Sequence, residues 1–152
     1  MSTTFIKYSN DNGFWISDIY MQLAYTYIYL ELEKPLYNLK NKAELLFGMK
    51  FQINGYATDM ISLGWNSRLA NKSEIKVMTE ILHQVKADLN AKGNYISIQE
   101  LKSIQSEDYY FKQFFSESPF PVAELIKIID ALIQLLDGTW TSNNYDMNID
   151  YE

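Results

Sequence analysis

The sequence contains no cysteine, a single histidine, three prolines and six glycines among its 152 residues. Without cysteine, the chain cannot form disulfides, thiolate zinc sites, iron–sulfur clusters or a cysteine nucleophile. One histidine cannot build a histidine-rich metal centre. The glycines are scattered, so they form neither a phosphate-binding loop nor a dinucleotide-binding fingerprint. These absences lead us to expect no cofactor and no metal.

A long hydrophobic run is also missing. The first residues lack the basic and apolar regions of a secretory signal, and residues 14–32 include Asp18, Gln22 and several tyrosines. We therefore expect a cytoplasmic chain that does not contact a membrane. A length near 150 residues favours a single domain over residues 1–152, with residues 139–152 as an acidic tail that is packed or partly ordered.

The charge of the chain is unevenly distributed. Its 13 basic and 19 acidic residues give a net charge of −6. Residues 1–99 hold 10 basic and 9 acidic residues, whereas residues 100–152 hold 3 basic and 10 acidic residues. The last third of the chain therefore repels nucleic acid and attracts basic partners. The alternative is that these acids only keep the domain in solution.

The spacing of apolar residues predicts an all-α, compact helical bundle of about five to seven helices. The clearest pattern follows Asn71 and Ser73, two candidate N-caps, and ends at Gly93. Another helix begins at Pro121 and ends before Gly138. The remaining predicted helices cover residues 14–34, 41–49, 59–69, 97–105 and 107–115.

At most one small β-hairpin is expected, near Asn54-Gly55. An Asn-Gly pair between short alternating runs is typical of a hairpin. It is equally compatible with a turn between helices in which Gly55 adopts the left-handed conformation. We favour the turn, because flanking runs of about three residues are short for strands.

Aromatic residues beside acids mark the net-negative third of the chain. Tyrosine and tryptophan anchors among carboxylates suit the recognition of a basic protein surface. We expect the neighbouring Phe111, Phe114 and Phe115 to fill the core instead. The predicted partner-binding residues are Glu107, Asp108, Tyr109, Tyr110, Asp137, Trp140, Tyr145, Asp146 and Asp150.

No pattern of catalytic residues stands out in the sequence. His83 lies beside the apolar stripe of its predicted helix, which places it at the surface. Glu107 and Asp108 fall in the first turn of a helix, where the helix dipole stabilises negative charge. We expect no catalytic site and no enzyme activity; an active site assembled from dispersed residues is the alternative that the sequence leaves open.

The chain resembles the small, acidic, cysteine-free cytoplasmic immunity proteins of bacterial contact-dependent growth inhibition and related polymorphic toxin systems. Together, the stretches that carry the resemblance span nearly the whole chain. They are Asn10-Asp11-Asn12-Gly13-Phe14-Trp15, Ile53-Asn54-Gly55-Tyr56, Ser62-Leu63-Gly64-Trp65, Ser118-Pro119-Phe120-Pro121 and Gly138-Thr139-Trp140 through Asn144-Tyr145-Asp146.

The resemblance implies a non-enzymatic inhibitor that binds one cognate toxin domain, most often a nuclease, and blocks its active site. We expect a monomer that forms a 1:1 heterodimer with a basic toxin domain. Such a partner suits an acidic inhibitor, because a nuclease lines its active site with basic side chains to hold phosphate. The alternative is an acidic helical adaptor or regulatory module that binds another basic protein.

Overall fold

The computed structural model describes residues 2–57 and 61–151. Within these residues the strands are β1 (Thr3–Lys7), β2 (Gly13–Ser17), β3 (Tyr95–Ile96), β4 (Phe120–Pro121) and β5 (Tyr145–Asp146). The helices there are α1 (Asp18–Leu32), α2 (Lys42–Ile53), α3 (Trp65–Arg68), α4 (Lys72–Ala91), α5 (Ile98–Ser103), α6 (Tyr109–Phe114) and α7 (Val122–Asp137). With 54% helix and 11% strand the fold is mixed α/β, so the predicted all-α bundle is wrong.

A three-stranded sheet joins the two ends of the chain. Strand β2 lies in its centre, antiparallel to β1 and parallel to β5. Trp15 pairs with Phe5 on one side and with Asp146 on the other. A second sheet contains only the antiparallel strands β3 and β4. The residues before α1 and after α7 thus form one structural unit.

Residues 14–17 are a strand, although they were predicted to begin the first helix. Phe14 and Ile16 are buried and Trp15 is exposed, which is the two-residue alternation of a sheet. The same apolar positions also fit helical spacing, so the pattern was ambiguous. These residues form a strand because they pair with β1. Gly13 is needed at the start of β2, because a Cβ there would lie 2.0 Å from the carbonyl oxygen of Ile6.

Helix α1 is buried on nearly every side. Its polar residues Asp18 and Gln22 are enclosed as well, each only 5% exposed. Buried polar groups require hydrogen-bond partners. The Gln22 amide donates to the Ile53 carbonyl at 3.3 Å, and the Tyr25 hydroxyl donates to the Ser62 carbonyl at 3.3 Å. These polar side chains of α1 therefore form hydrogen bonds to the segments packed around the helix.

Helices α4 and α7 pack against each other and follow the predicted pattern closely. The Asn71 side chain accepts a hydrogen bond from the Glu74 amide at 3.0 Å, which confirms the predicted N-cap. Helix α7 ends at Gly138, whose φ of 81° requires the left-handed conformation. Pro121 lies one residue before α7 and pairs with Tyr95 in the small sheet.

The segment between α1 and α4 differs most from the prediction. Helix α2 extends beyond the predicted 41–49, and Gly55 follows it with a φ of 79°. The left-handed turn is therefore confirmed and the alternative hairpin at Asn54-Gly55 is absent from the described residues. Of the predicted helix 59–69, the described residues form only the short α3. Gly64 is its N-cap and has the left-handed conformation, so the helix does not extend before Trp65. Residues 58–60 lie outside the described part.

None of the helices in residues 2–57 and 61–151 is long and apolar enough to cross a membrane.

Candidate functional site

The nine predicted partner-binding residues lie on different elements. Four of them surround the start of α6, where Asp108 is the N-cap. Of another four, Asp137 ends α7, Trp140 follows it, and Tyr145 and Asp146 form β5, which pairs with the central strand β2. The ninth, Asp150, is anchored to the first turn of α7, because its amide donates to the Glu124 carboxylate at 2.8 Å. Each group has a different relation to solvent.

Asp108 has a structural role at the start of α6. One carboxylate oxygen accepts a hydrogen bond from the Phe111 amide at 3.2 Å, which caps the helix. The other accepts from the Gln22 side chain at 2.9 Å. Ser106 supports this junction by donating to the Ile53 carbonyl at 2.7 Å. The carboxylate of Asp108 is therefore engaged within the protein itself.

The neighbours of Asp108 point outward. Glu107 is exposed, Tyr109 is 75% exposed and Tyr110 is 55% exposed. The Tyr109 hydroxyl accepts a hydrogen bond from Gln113 on the helix surface, at 2.8 Å. The Tyr110 ring packs at one edge against Phe114, with a centroid distance of 6.0 Å. Two large rings and one carboxylate are thus available to a partner at this end of α6.

An exposed aromatic ridge on α2 was missed in the sequence. Phe47 is 73% exposed and stacks with Phe51 at a centroid distance of 6.3 Å. Phe51 in turn contacts Tyr56 at 5.3 Å. The buried face of α2 carries Leu45, Met49 and Ile53, so residues two positions away must face solvent. The predicted helix ended at residue 49, whereas α2 continues to Ile53, so this spacing was not recognised.

The ridge lies beside the start of α6. A Cβ at Gly55 would be 2.3 Å from a carboxylate oxygen of Asp108, so only glycine fits there. Tyr56 follows Gly55 and Tyr109 follows Asp108, so the two exposed tyrosines lie on segments that meet where Gly55 approaches Asp108. We call the exposed set formed by Phe47, Phe51, Tyr56, Glu107, Tyr109 and Tyr110 the α2–α6 surface.

The tail residues form a different arrangement beside β2. The Trp140 indole donates a hydrogen bond to the Gly13 carbonyl at 2.8 Å, and its ring packs edge-on against Phe14 at 5.5 Å. Tyr145 packs edge-on against Trp140 at 5.4 Å and remains half exposed. Asp137 and Asp146 are both exposed. Asp137 accepts hydrogen bonds from the amide and hydroxyl of Thr139, and Asp146 lies on β5.

The end of the tail returns to α6 and α7. Tyr151 packs on Phe120 at 4.9 Å and donates a hydrogen bond to the Ser118 carbonyl at 2.9 Å. It also contacts Phe114, the residue on which Tyr110 packs. Asp150, immediately before it, is exposed. Burial alone would raise the pKa of Glu124, but hydrogen bonds from the Asp150 amide and the Lys127 amine outweigh burial and lower this pKa.

Other predicted positions behave as follows. Phe111 and Phe115 are in the core, as expected, while Phe114 is only partly buried. His83 is exposed on α4, as its helical position predicted. Within residues 2–57 and 61–151, no group of three or more histidine, aspartate or glutamate side chains is placed to hold a metal ion.

Comparison of the chain with models of protein families, with curated proteins and with solved structures finds no match.

Proposed function

We propose that this chain is an immunity protein that binds a basic toxin domain, a nuclease, directly and blocks its active site. A cytoplasmic location and a 1:1 complex are parts of this proposal, as is the absence of catalytic turnover. The observation that carries it is the α2–α6 surface, where exposed aromatic rings and the Glu107 carboxylate lie on segments that meet at the approach of Gly55 to Asp108.

Exposed rings of this kind suit a protein interface. Large aromatic side chains supply most of the binding energy at protein interfaces when they enter pockets of the partner. Phe47 and Tyr109 are both at least 73% exposed, so a partner can bury most of each ring. Burying these rings against a partner would remove their apolar surface from water, and this favours binding.

The acids of the last third supply the second property that an inhibitor of a basic toxin needs. Glu107, Asp146 and Asp150 are exposed, and none of them forms a salt bridge within the described part of the chain. Carboxylates that remain unpaired can attract a basic surface over distances of about 8 Å at physiological ionic strength. They would accelerate the encounter with a toxin that binds phosphate.

The direct test is protection of cells by co-expression. The toxin to use is the one encoded immediately upstream of this chain, expressed as its carboxyl-terminal domain. Cells that express the toxin should survive only when they also express this chain. The two purified proteins should form a 1:1 complex with nanomolar affinity. Survival without a detectable complex would contradict direct inhibition and would favour an enzyme that removes the product of the toxin.

Charge reversal tests the role of the acids in association. Changing Glu107, Asp146 and Asp150 to lysine should slow association by about tenfold at low salt, and the difference should shrink as salt increases. The matched control changes Glu33, Glu80 and Asp88, which are also exposed, to lysine. Stopped-flow fluorescence over a salt series measures both. Equal slowing by the two sets would show that only net charge matters.

Glu31 and Glu74 are unsuitable as controls. Glu31 is 4% exposed and binds Lys34 at 2.9 Å. Glu74 accepts hydrogen bonds from the Ala70 and Lys40 amides, which lower its pKa. Reversing either charge would disturb folding before it affected binding.

A further inference from the structure

A groove crosses the surface between α1, α2 and the segment that connects α5 to α6. It consists of two cavities of about 530 and 540 Å³. Both are lined by Lys50 of α2 and by residues 103–105, so the cavities adjoin there. Each has a volume typical of sites for small molecules, which span about 300–1,000 Å³.

The wall of the first cavity is apolar in part, although polar side chains, among them Glu33, Lys50 and Glu100, also line it. Tyr27, Tyr29 and Leu30 of α1 line one side, and Ile53 and Ile104 line the other. Leu30 is 52% exposed although it belongs to an otherwise buried helix. An apolar side chain exposed at the wall of a cavity favours a ligand with an apolar body, because that body would remove the side chain from water.

The second cavity is basic, unlike the part of the chain that forms it. Lys50, Lys102 and Lys112 line it, with Glu107 as its acidic residue. Residues 100–152 contain only three basic residues, and two of them are here. None of the three lysines forms a salt bridge within residues 2–57 and 61–151. The net-negative third of the protein therefore includes a local site of positive charge.

Two of these lysines are available to a ligand. The Lys112 amine donates hydrogen bonds to the Lys102 and Ile104 carbonyls at the end of α5, so it is already engaged, and burial lowers its pKa. The Lys50 amine lies 5.5 Å from the centre of the Tyr29 ring, at the junction of the two cavities. Lys102 is exposed at the basic end.

The acids of the groove are not equally available to repel an anion. Glu100 is held by the Lys92 amine at 2.9 Å and by the Tyr27 hydroxyl at 2.7 Å. Glu33 lines the apolar cavity, away from the basic one, and Glu107 lines the basic cavity. Lys50, whose amine lies over the Tyr29 ring, and Lys102, whose amine forms no salt bridge within the described residues, thus line the basic cavity together with one carboxylate, Glu107.

We propose that this groove binds a small organic phosphate, with the phosphate between Lys50 and Lys102 and the apolar body against Leu30, Tyr27 and Ile104. Lysine is a common ligand of phosphate, to which it presents a compact point charge. The ligand would lie in the concave groove and would leave the exposed rings of the α2–α6 surface uncovered, although Glu107 borders both sites.

The test is a titration of the full chain followed by amide NMR shifts. Hexyl phosphate and adenosine monophosphate are the two probes, and hexanol and adenosine are their neutral counterparts. We expect saturable shifts at Leu30, Lys50 and residues 103–105 with at least one of the phosphates. Binding should be about tenfold weaker for the neutral counterpart and for inorganic phosphate. The stronger probe distinguishes a hydrocarbon chain from a nucleoside as the body.

Matched variants connect binding to the named residues. Lys102→Glu should weaken the phosphate probe about tenfold, whereas Lys76→Glu, an exposed lysine on α4, should not. Leu30→Ser should weaken it severalfold, whereas Leu36→Ser, at a position 72% exposed outside the groove, should not. Absence of saturable shifts with both phosphates would overturn the proposal. Equal binding of inorganic phosphate, or equal effects of the variants and their controls, would also overturn it.

Discussion

The start of α6 and the tail after α7 both combine aromatic and acidic residues, yet they differ in which of these side chains are packed against the protein. At the start of α6 the rings of Tyr109 and Tyr110 are exposed, while the Asp108 carboxylate is engaged within the protein. In the tail the ring of Trp140 is packed against β2, while Asp146 is exposed.

The two regions therefore suit different steps of binding, although their similar composition predicted the same role for both. Exposed rings supply contact area after docking, whereas exposed carboxylates act at a distance before docking. The start of α6 contributes both kinds of group, together with the aromatic ridge of α2. The tail contributes charge, and its largest ring holds the ends of the chain together. The predictions below probe this division.

Trp140→Ala should have the largest effect, and the effect should be on stability. The change removes the indole hydrogen bond to Gly13 and the ring contact with Phe14, so we expect a loss of about 3 kcal/mol. Trp15→Ala is the matched control, because Trp15 is 42% exposed and its ring contacts the Phe5 ring. It should cost about 1 kcal/mol. Urea unfolding measures both, and equal losses would show that Trp140 does not anchor the tail.

Asp108→Ala should also act on stability, although Asp108 was predicted to bind a partner. It removes the α6 N-cap and leaves the buried Gln22 amide without this acceptor, at a combined cost of about 2 kcal/mol. Glu107→Ala, one residue earlier and exposed, should change the free energy of unfolding by less than about 0.5 kcal/mol. If both variants are equally stable, Asp108 belongs with the binding residues after all.

The elements that could be predicted from the sequence are those with one strong local pattern. Helix α4 has an N-cap at Asn71 and a regular apolar stripe, and α7 ends at a left-handed glycine. Each pattern depends on residues within the element itself. The same holds for the Gly55 turn, whose φ of 79° needs glycine wherever the turn lies in the fold.

The sheet could not be predicted in this way, because its pairing joins distant parts of the chain. β5 is two residues long and pairs with β2 from the opposite end of the sequence. At Asn54-Gly55 a turn was favoured and a turn is found, whereas the hairpin that forms joins β1 to β2 through residues 8–12. For the site, composition located the exposed rings of α6. It could not show that Asp108 turns inward towards Gln22, since that depends on the packing of α1 against α2.

Tyr109→Ala should affect the complex and leave the fold intact. Loss of this exposed ring should speed dissociation from the toxin by about thirtyfold, while the free energy of unfolding stays within about 0.5 kcal/mol of the parent. Tyr95→Ala, at an exposed position on β3, is the control and should leave dissociation unchanged. Tyr145→Ala should have a smaller effect than Tyr109→Ala, because its ring already packs against Trp140. Surface plasmon resonance gives the three rates; a larger effect at Tyr145 would place the anchor in the tail.

Glu124→Gln should have the smallest effect on the free energy of unfolding, and this effect should depend on pH. In the folded protein the Asp150 amide and Lys127 lower the pKa of Glu124 below its usual 4.5, despite the opposing effect of burial. A lowered pKa in the folded state stabilises the protein above the unfolded pKa, and this stability is lost as pH falls through the folded value. The parent should therefore exceed Glu124→Gln by less than about 1 kcal/mol at pH 7, and the difference should shrink below about pH 4.5. Glu117→Gln is an exposed control on the loop before α7 and should show no such convergence. Urea unfolding from pH 7 to pH 3 measures the difference, and a gap that stays constant over this range would mean that the Glu124 charge does not hold the tail.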